Sequence, residues 1–149
     1  MKTVCSYMVL LAMLASCGGD SGPPLSATDI AIIAPLPGRS GSAAYMTLHN
    51  GSDKAIILHE VSSPLFARVE MHESTISDGI ARMRKLESLS IAAGSSVQFA
   101  VGGKHLMLID PVKGLLPGDS ISLEMHYDDG GIVIFSAPLR TRQNPGDNQ

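Results

Sequence analysis

Ala67-Arg68-Val69-Glu70-Met71-His72-Glu73-Ser74-Thr75-Ile76-Ser77, then Asp78-Gly79, then Ile80-Ala81-Arg82-Met83-Arg84-Lys85-Leu86 is the stretch whose reading decides the fold. Asp-Gly favours a two-residue type I′ turn, because the backbone twist of that turn matches the twist of the strands it joins. With Asp78 and Gly79 as the central pair, Ser77 pairs with Ile80 and His72 lies opposite Lys85. Met83 is two residues from Lys85 and therefore shares a face with His72. Diagonal neighbours on such a face are about 7–8 Å apart. A three-residue loop would instead put His72 and Met83 on opposite faces, so the turn decides the pairing.

Working outward, the same strand-and-turn grammar recurs. Toward the C-terminus, Ser90 to Ser95 reads as a turn and Ser96 to Val101 as a strand. Gly102-Gly103 breaks it, and Lys104 to Ile109 is the next strand. Side chains alternate along a strand, so His105 and Met107 point to one face. Leu116-Pro117-Gly118-Asp119 marks a loop. Ser120–Tyr127 and Ile132–Ala137 form a last hairpin through Asp128-Asp129-Gly130-Gly131. Toward the N-terminus, Ala55–Val61, Ala43–Leu48 and Ile30–Ala34 read as strands, with a turn at Asn50-Gly51-Ser52-Asp53 and a surface loop over Arg39–Ser42. No long stretch keeps a 3.6-residue period. Eight or nine short strands separated by turn signals point to an all-β fold, an antiparallel sandwich or barrel.

Composition bounds the function. The chain has 149 residues, enough for one domain, with 44% apolar residues and no Trp. Its formal net charge is -3 and its pI about 5.9. There is no run of Lys and Arg, so no nucleic acid partner is expected. Met1-Lys2 followed by the apolar run Val4–Ala15 reads as a leader too short to span a bilayer. It ends in Leu14-Ala15-Ser16-Cys17, which resembles a bacterial lipobox. That resemblance implies cleavage before Cys17 and a lipid anchor on it, each buried CH2 adding about 0.8 kcal/mol of membrane affinity. The next residue is Gly18 rather than Asp, which favours the outer membrane over the inner one on the periplasmic face of the envelope. The expected parts are a leader over 1–16, Cys17 and a flexible tether to residue 26, a domain over 27–142 and a polar tail over 143–149. The two cysteines are Cys5 and Cys17. The mature domain is therefore left with neither a free thiol nor a disulfide, which excludes a CxxC oxidoreductase and a thiolate copper site.

Two His and two Met stand at fixed spacings, His72-x10-Met83-x21-His105-x-Met107. Imidazole and thioether together suit a soft ion, and among biological metals that is Cu(I). The imidazoles must be neutral to bind, so affinity should fall on acidification through their reference value of about 6.5. Taken singly, each of these residues would more often be strand face or core filler. Met71, next to His72, should point to the opposite face. His49, His59 and His126 stand outside the spacing. Glu70 and Glu73 could orient the imidazoles, but solvated carboxylates are commoner, and the same holds for the basic run Arg82-x-Arg84-Lys85.

The spacing and its surroundings resemble the PCuAC family of periplasmic copper chaperones. The residues that carry the resemblance are Ala44-Tyr45-Met46-Thr47-Leu48-His49-Asn50, Val69-Glu70-Met71-His72-Glu73, Met83, Gly102-Gly103-Lys104-His105-Leu106-Met107-Leu108 and Leu116-Pro117-Gly118-Asp119. The resemblance implies a cupredoxin-like β-sandwich or barrel with an exposed Cu(I) site formed by His72, Met83, His105 and Met107. It also implies a carrier rather than an enzyme, one that delivers copper to the CuA subunit of cytochrome c oxidase, often beside a Sco-type copper protein. This chain departs from the family in its lipobox-like start and in a tail without His or Met. Two other functions compete: a metal-independent envelope β-sandwich that acts as an interaction module, and a copper buffering or tolerance protein. A zinc or copper enzyme is disfavoured, because catalytic zinc wants His and carboxylate ligands and a blue-copper site wants Cys.

Overall fold

A computed structural model of the chain describes residues 23–35 and 41–141. The leader, Cys17, most of the tether and the tail 143–149 lie outside the described residues. The described residues form ten strands: β1 (Leu25–Ile33), β2 (Gly41–Asn50), β3 (Ile56–Ser62), β4 (Phe66–Ser77), β5 (Ile80–Lys85), β6 (Leu89–Ile91), β7 (Ser96–Phe99), β8 (Lys104–Pro111), β9 (Ser120–Tyr127) and β10 (Gly131–Arg140). A 3-10 turn at Asp128–Gly130 joins the last two. Among the described residues no helix is long and apolar enough to cross a membrane.

The strands follow one hydrogen-bonded path, β5-β4-β8-β2-β1-β10-β9-β3-β6, with β7 also on β2. Strict alternation explains why they pack. Ala44, Met46 and Leu48 on β2, Leu106 and Leu108 on β8, and Ile121, Leu123 and Met125 on β9 all face one core, and their intervening residues face out. That core draws on both ends of the path, so the sheet folds over on itself. The expected all-β sandwich is the fold found, with one pair that is not antiparallel. β1 and β10 run parallel, pairing Ile32 with Leu139 and Ile33 with Arg140. This contact brings the first and last strands together, a non-local pairing that no turn signal announces.

Several boundaries differ from the expected ones, each time because a distant partner recruits the residue. Leu25 and Ser26, assigned to the tether by composition, begin β1 and pair with Asn50 and His49, and Leu25 is fully buried. Ser42, read as loop, lies in β2 and is also buried. Ser90-Ile91, read as turn, belongs to β6, where Ile91 pairs with Ile56 and enters the core. The Asn50 side chain secures that short strand. Its Nδ2 donates to the carbonyls of Ile91 at 2.9 Å and Lys54 at 2.7 Å, while its Oδ1 accepts from Ser52 N–H.

Candidate metal centre

The β4–β5 hairpin has the register that Asp-Gly predicts. Ser77 pairs with Ile80, Ser74 with Met83 and His72 with Lys85. Asp78 and Gly79 have φ of 53° and 74°, the two positive values a type I′ turn requires. Met83 therefore lies diagonal to His72 on one face. It stands on an edge strand with all six residues exposed, and is itself 56% exposed.

On its other side β4 pairs with β8, His72 opposite His105 and Glu70 opposite Met107. Leu106, between His105 and Met107, turns the other way and is fully buried. The two imidazoles meet edge to face, with ring centroids 5.8 Å apart and planes at 74°. Met107 also pairs with Ala43 on β2, and its methyl carbon lies 3.4 Å from where a Cβ on Gly41 would stand. Thus three strands bring the four spaced residues to one face: the histidines side by side, Met107 next along β8 and Met83 diagonally across on β5. Met71 turns inward and is core, as its parity predicts.

Two residues that the spacing does not contain hold the imidazoles. His72 Nε2 donates to Glu70 Oε2 at 2.9 Å, and Glu70 sits two residues away on the same face. The hydrogen bond from His72 holds the Glu70 carboxyl below the usual carboxylate range, against a smaller upward push from burial. His105 Nδ1 lies 3.0 Å from the Gly103 carbonyl, an oxygen that can only accept. That carbonyl also accepts the backbone N–H of Ser74. It is placed by a tight turn in which Gly103 N–H bonds to Ala100 O and Gly102 takes a φ of 80°. Gly102-Gly103 was legible as a strand break. The direction of its carbonyl was not, because it depends on the turn and on the pairing with β4. Glu70 carried one signal, its i,i−2 spacing from His72, which solvated carboxylates share.

The remaining histidines have other duties. His49 bridges Thr28 Oγ1 and Ser96 Oγ, tying β1, β2 and β7. His59 bonds Asp128, and His126 lies against Ser62. Among the described residues no three of His, Cys, Asp and Glu come together in a way that could hold a metal ion. On this face the soft donors that stand beside the two imidazoles are the thioethers of Met83 and Met107. The donor set suits a soft ion, and among the described residues His72 Nδ1 is buried with no hydrogen-bond partner. A cleft of about 300 Å³ nearby is lined by Glu60, Ser62, Phe66, Arg68, Glu70 and Lys85 but by none of the four spaced residues. An ion defined by its ligands on a sheet face needs no such cavity.

Solved PCuAC domains share this all-β fold. The copper-bound PCuAC domain from PmoF2 superposes with a TM-score of 0.66 at 23% identity, over 82% of this chain and 97% of that one, a likeness of fold. The solution structure of CuI-DR1885 from Deinococcus radiodurans superposes with a TM-score of 0.62 at 27% identity, over 87% of this chain and 85% of that one. The sequence model of the family described as "Putative lipoprotein LpqE-like" matches residues 25–139, and the chain belongs to that family. "Uncharacterized protein RP573" of Rickettsia prowazekii (strain Madrid E) is 33% identical over 107 residues, 71% of this chain. The match spans 59% of that relative's length.

Proposed function

We propose that the protein is a lipid-anchored carrier of Cu(I) in the bacterial envelope, not an enzyme. It binds one ion through His72, Met83, His105 and Met107 and passes it to the CuA site of cytochrome c oxidase, directly or through a Sco-type intermediary. The observation that carries this reading is the β4–β8 register, which sets His72 beside His105 with Met107 and Met83 flanking them on one face. The copper bound by two structural neighbours, the PmoF2 domain and CuI-DR1885, and the lipoprotein description of the family support it. All four ligands are neutral, so binding relies on the softness of sulfur and imidazole rather than on ion pairing. The rim position of Met83 gives an acceptor's ligands direct access, as a carrier requires. Thiolates would hold copper more firmly but oxidise in the envelope.

The test is an anaerobic titration with Cu(I) against a competing chelator, beside Met83→Ala and His105→Ala. The expected result is one tight equivalent that zinc does not displace. Each substitution should weaken it by more than about tenfold, the lower bound for losing even an outer-sphere partner. Absent binding, or binding unchanged in both variants, refutes the site and leaves an interaction module. Copper transfer from the loaded chain to a CuA apoprotein then separates delivery from buffering.

A further inference from the structure

We infer that Glu70 is a positioning residue that selects which nitrogen of His72 meets the copper ion. Its carboxylate holds His72 in the Nε2–H tautomer and leaves Nδ1 as the donor, while the Gly103 carbonyl holds His105 as Nδ1–H and leaves Nε2. The inference rests on the copper site proposed above and adds an asymmetric donor set, one Nδ1 and one Nε2.

Three observations converge on it. The partner of each imidazole accepts hydrogen bonds and cannot donate them when ionised or carbonyl, so the bonded nitrogen must carry the proton. In a neutral imidazole the other nitrogen then has the free lone pair. For His72 that second nitrogen is the buried Nδ1, which has no hydrogen-bond partner among the described residues. A buried acceptor with no partner is destabilising, and a bound cation at its lone pair would relieve it. Glu70 also pairs across the strands with Met107. Its negative charge thus stands beside a cation whose four ligands are neutral, and that charge partly offsets the cost of holding the ion on a half-buried face. The Gly103 carbonyl cannot be removed by substitution, so Glu70 is where the device can be tested.

The test is two-bond 1H–15N NMR of the full chain labelled with 15N-histidine, free and with one equivalent of Cu(I), beside Glu70→Ala and Glu70→Gln. In the free wild-type chain His72 should show the Nε2–H pattern and His105 the Nδ1–H pattern. Loading should shift His72 Nδ1 and His105 Nε2. Glu70→Ala removes the acceptor, so His72 should become a mixture of tautomers and Cu(I) affinity should fall about 10- to 100-fold. Glu70→Gln keeps an acceptor oxygen but loses the charge, so the tautomer should persist with an intermediate affinity. An unchanged amide spectrum in both variants separates these effects from unfolding. Coordination of loaded wild type through His72 Nε2, or a Glu70→Ala variant with wild-type tautomer and affinity, overturns the inference. Absence of any Cu(I)-induced shift in the wild type would instead refute the proposed function, and the tautomers of the free chain would still decide whether Glu70 holds His72.

Discussion

Glu73 follows His72 in sequence but points to the opposite face, where it is flanked by two cations. It accepts from Lys104 Nζ at 2.9 Å and from Arg84. These hydrogen bonds, Lys104 first and Arg84 second, hold its carboxyl below the ordinary value of 4.5. A carboxylate whose folded-state pKa is depressed stabilises the fold above its unfolded value and loses that contribution as pH falls through the depressed one. Part of the acid sensitivity of the fold should therefore appear below pH 4.5 and vanish in Glu73→Gln. Urea unfolding of both chains between pH 7 and pH 3 checks it. Curves that stay parallel across that range would show that the Lys104–Glu73–Arg84 row contributes nothing to stability. The contrast with Glu70 is instructive. Two glutamates three residues apart differ in parity, and that alone makes one an ion-pair partner and the other a neighbour of the imidazoles.

The β4–β5 hairpin shows how an element can carry a site. β5 buries none of its six residues, so its placement depends on the turn and on backbone pairing with β4. Adding one Gly between Asp78 and Gly79 would shift the register by one and turn Met83 to the other face. Cu(I) affinity should then fall to that of Met83→Ala, a loss of more than about tenfold on the scale of outer-sphere effects. The urea midpoint should move little. Chelator competition on the extended-turn chain measures this, and wild-type affinity would show that Met83 is not a ligand. The register of this hairpin was legible because everything needed lies within ten residues of Asp78. The β9–β10 hairpin was legible for the same reason. β6 was not, since three residues carry no period and their strand exists through β3 and the Asn50 amide.

At the scale of the molecule, one core joins the site-bearing strands to the far end of the path. Leu123 on β9 is fully buried yet lies on neither β4, β5 nor β8. Leu123→Ala should lower stability by about 2–5 kcal/mol, the lost transfer energy plus the cavity it leaves. The Cu(I) affinity of the folded fraction should be unchanged. Urea denaturation with a parallel chelator titration reads both, and a large loss of affinity would mean that the core and the metal face are coupled more tightly than their strands suggest. Without a cysteine in the described domain, no disulfide shares this load, and the apolar alternation on β2, β8 and β9 must carry it.

Alternation, turn chemistry and spacing are local properties, and they determined by themselves that this is an all-β chain, that His72 shares a face with Met83, and that His105 shares one with Met107. Which distant strands meet is not local. Only the tertiary structure decided that β4 lies against β8 so that the two pairs become one face, that β1 runs parallel to β10, and that Leu25 and Ile91 belong to the core. It also decided the atoms that aim the imidazoles. A carboxylate two residues away and a carbonyl at the end of a glycine turn become partners of histidines only once pairing has fixed their directions. A strand's side-chain parity is set by its own backbone, whereas its neighbours are set by the burial of the whole sheet.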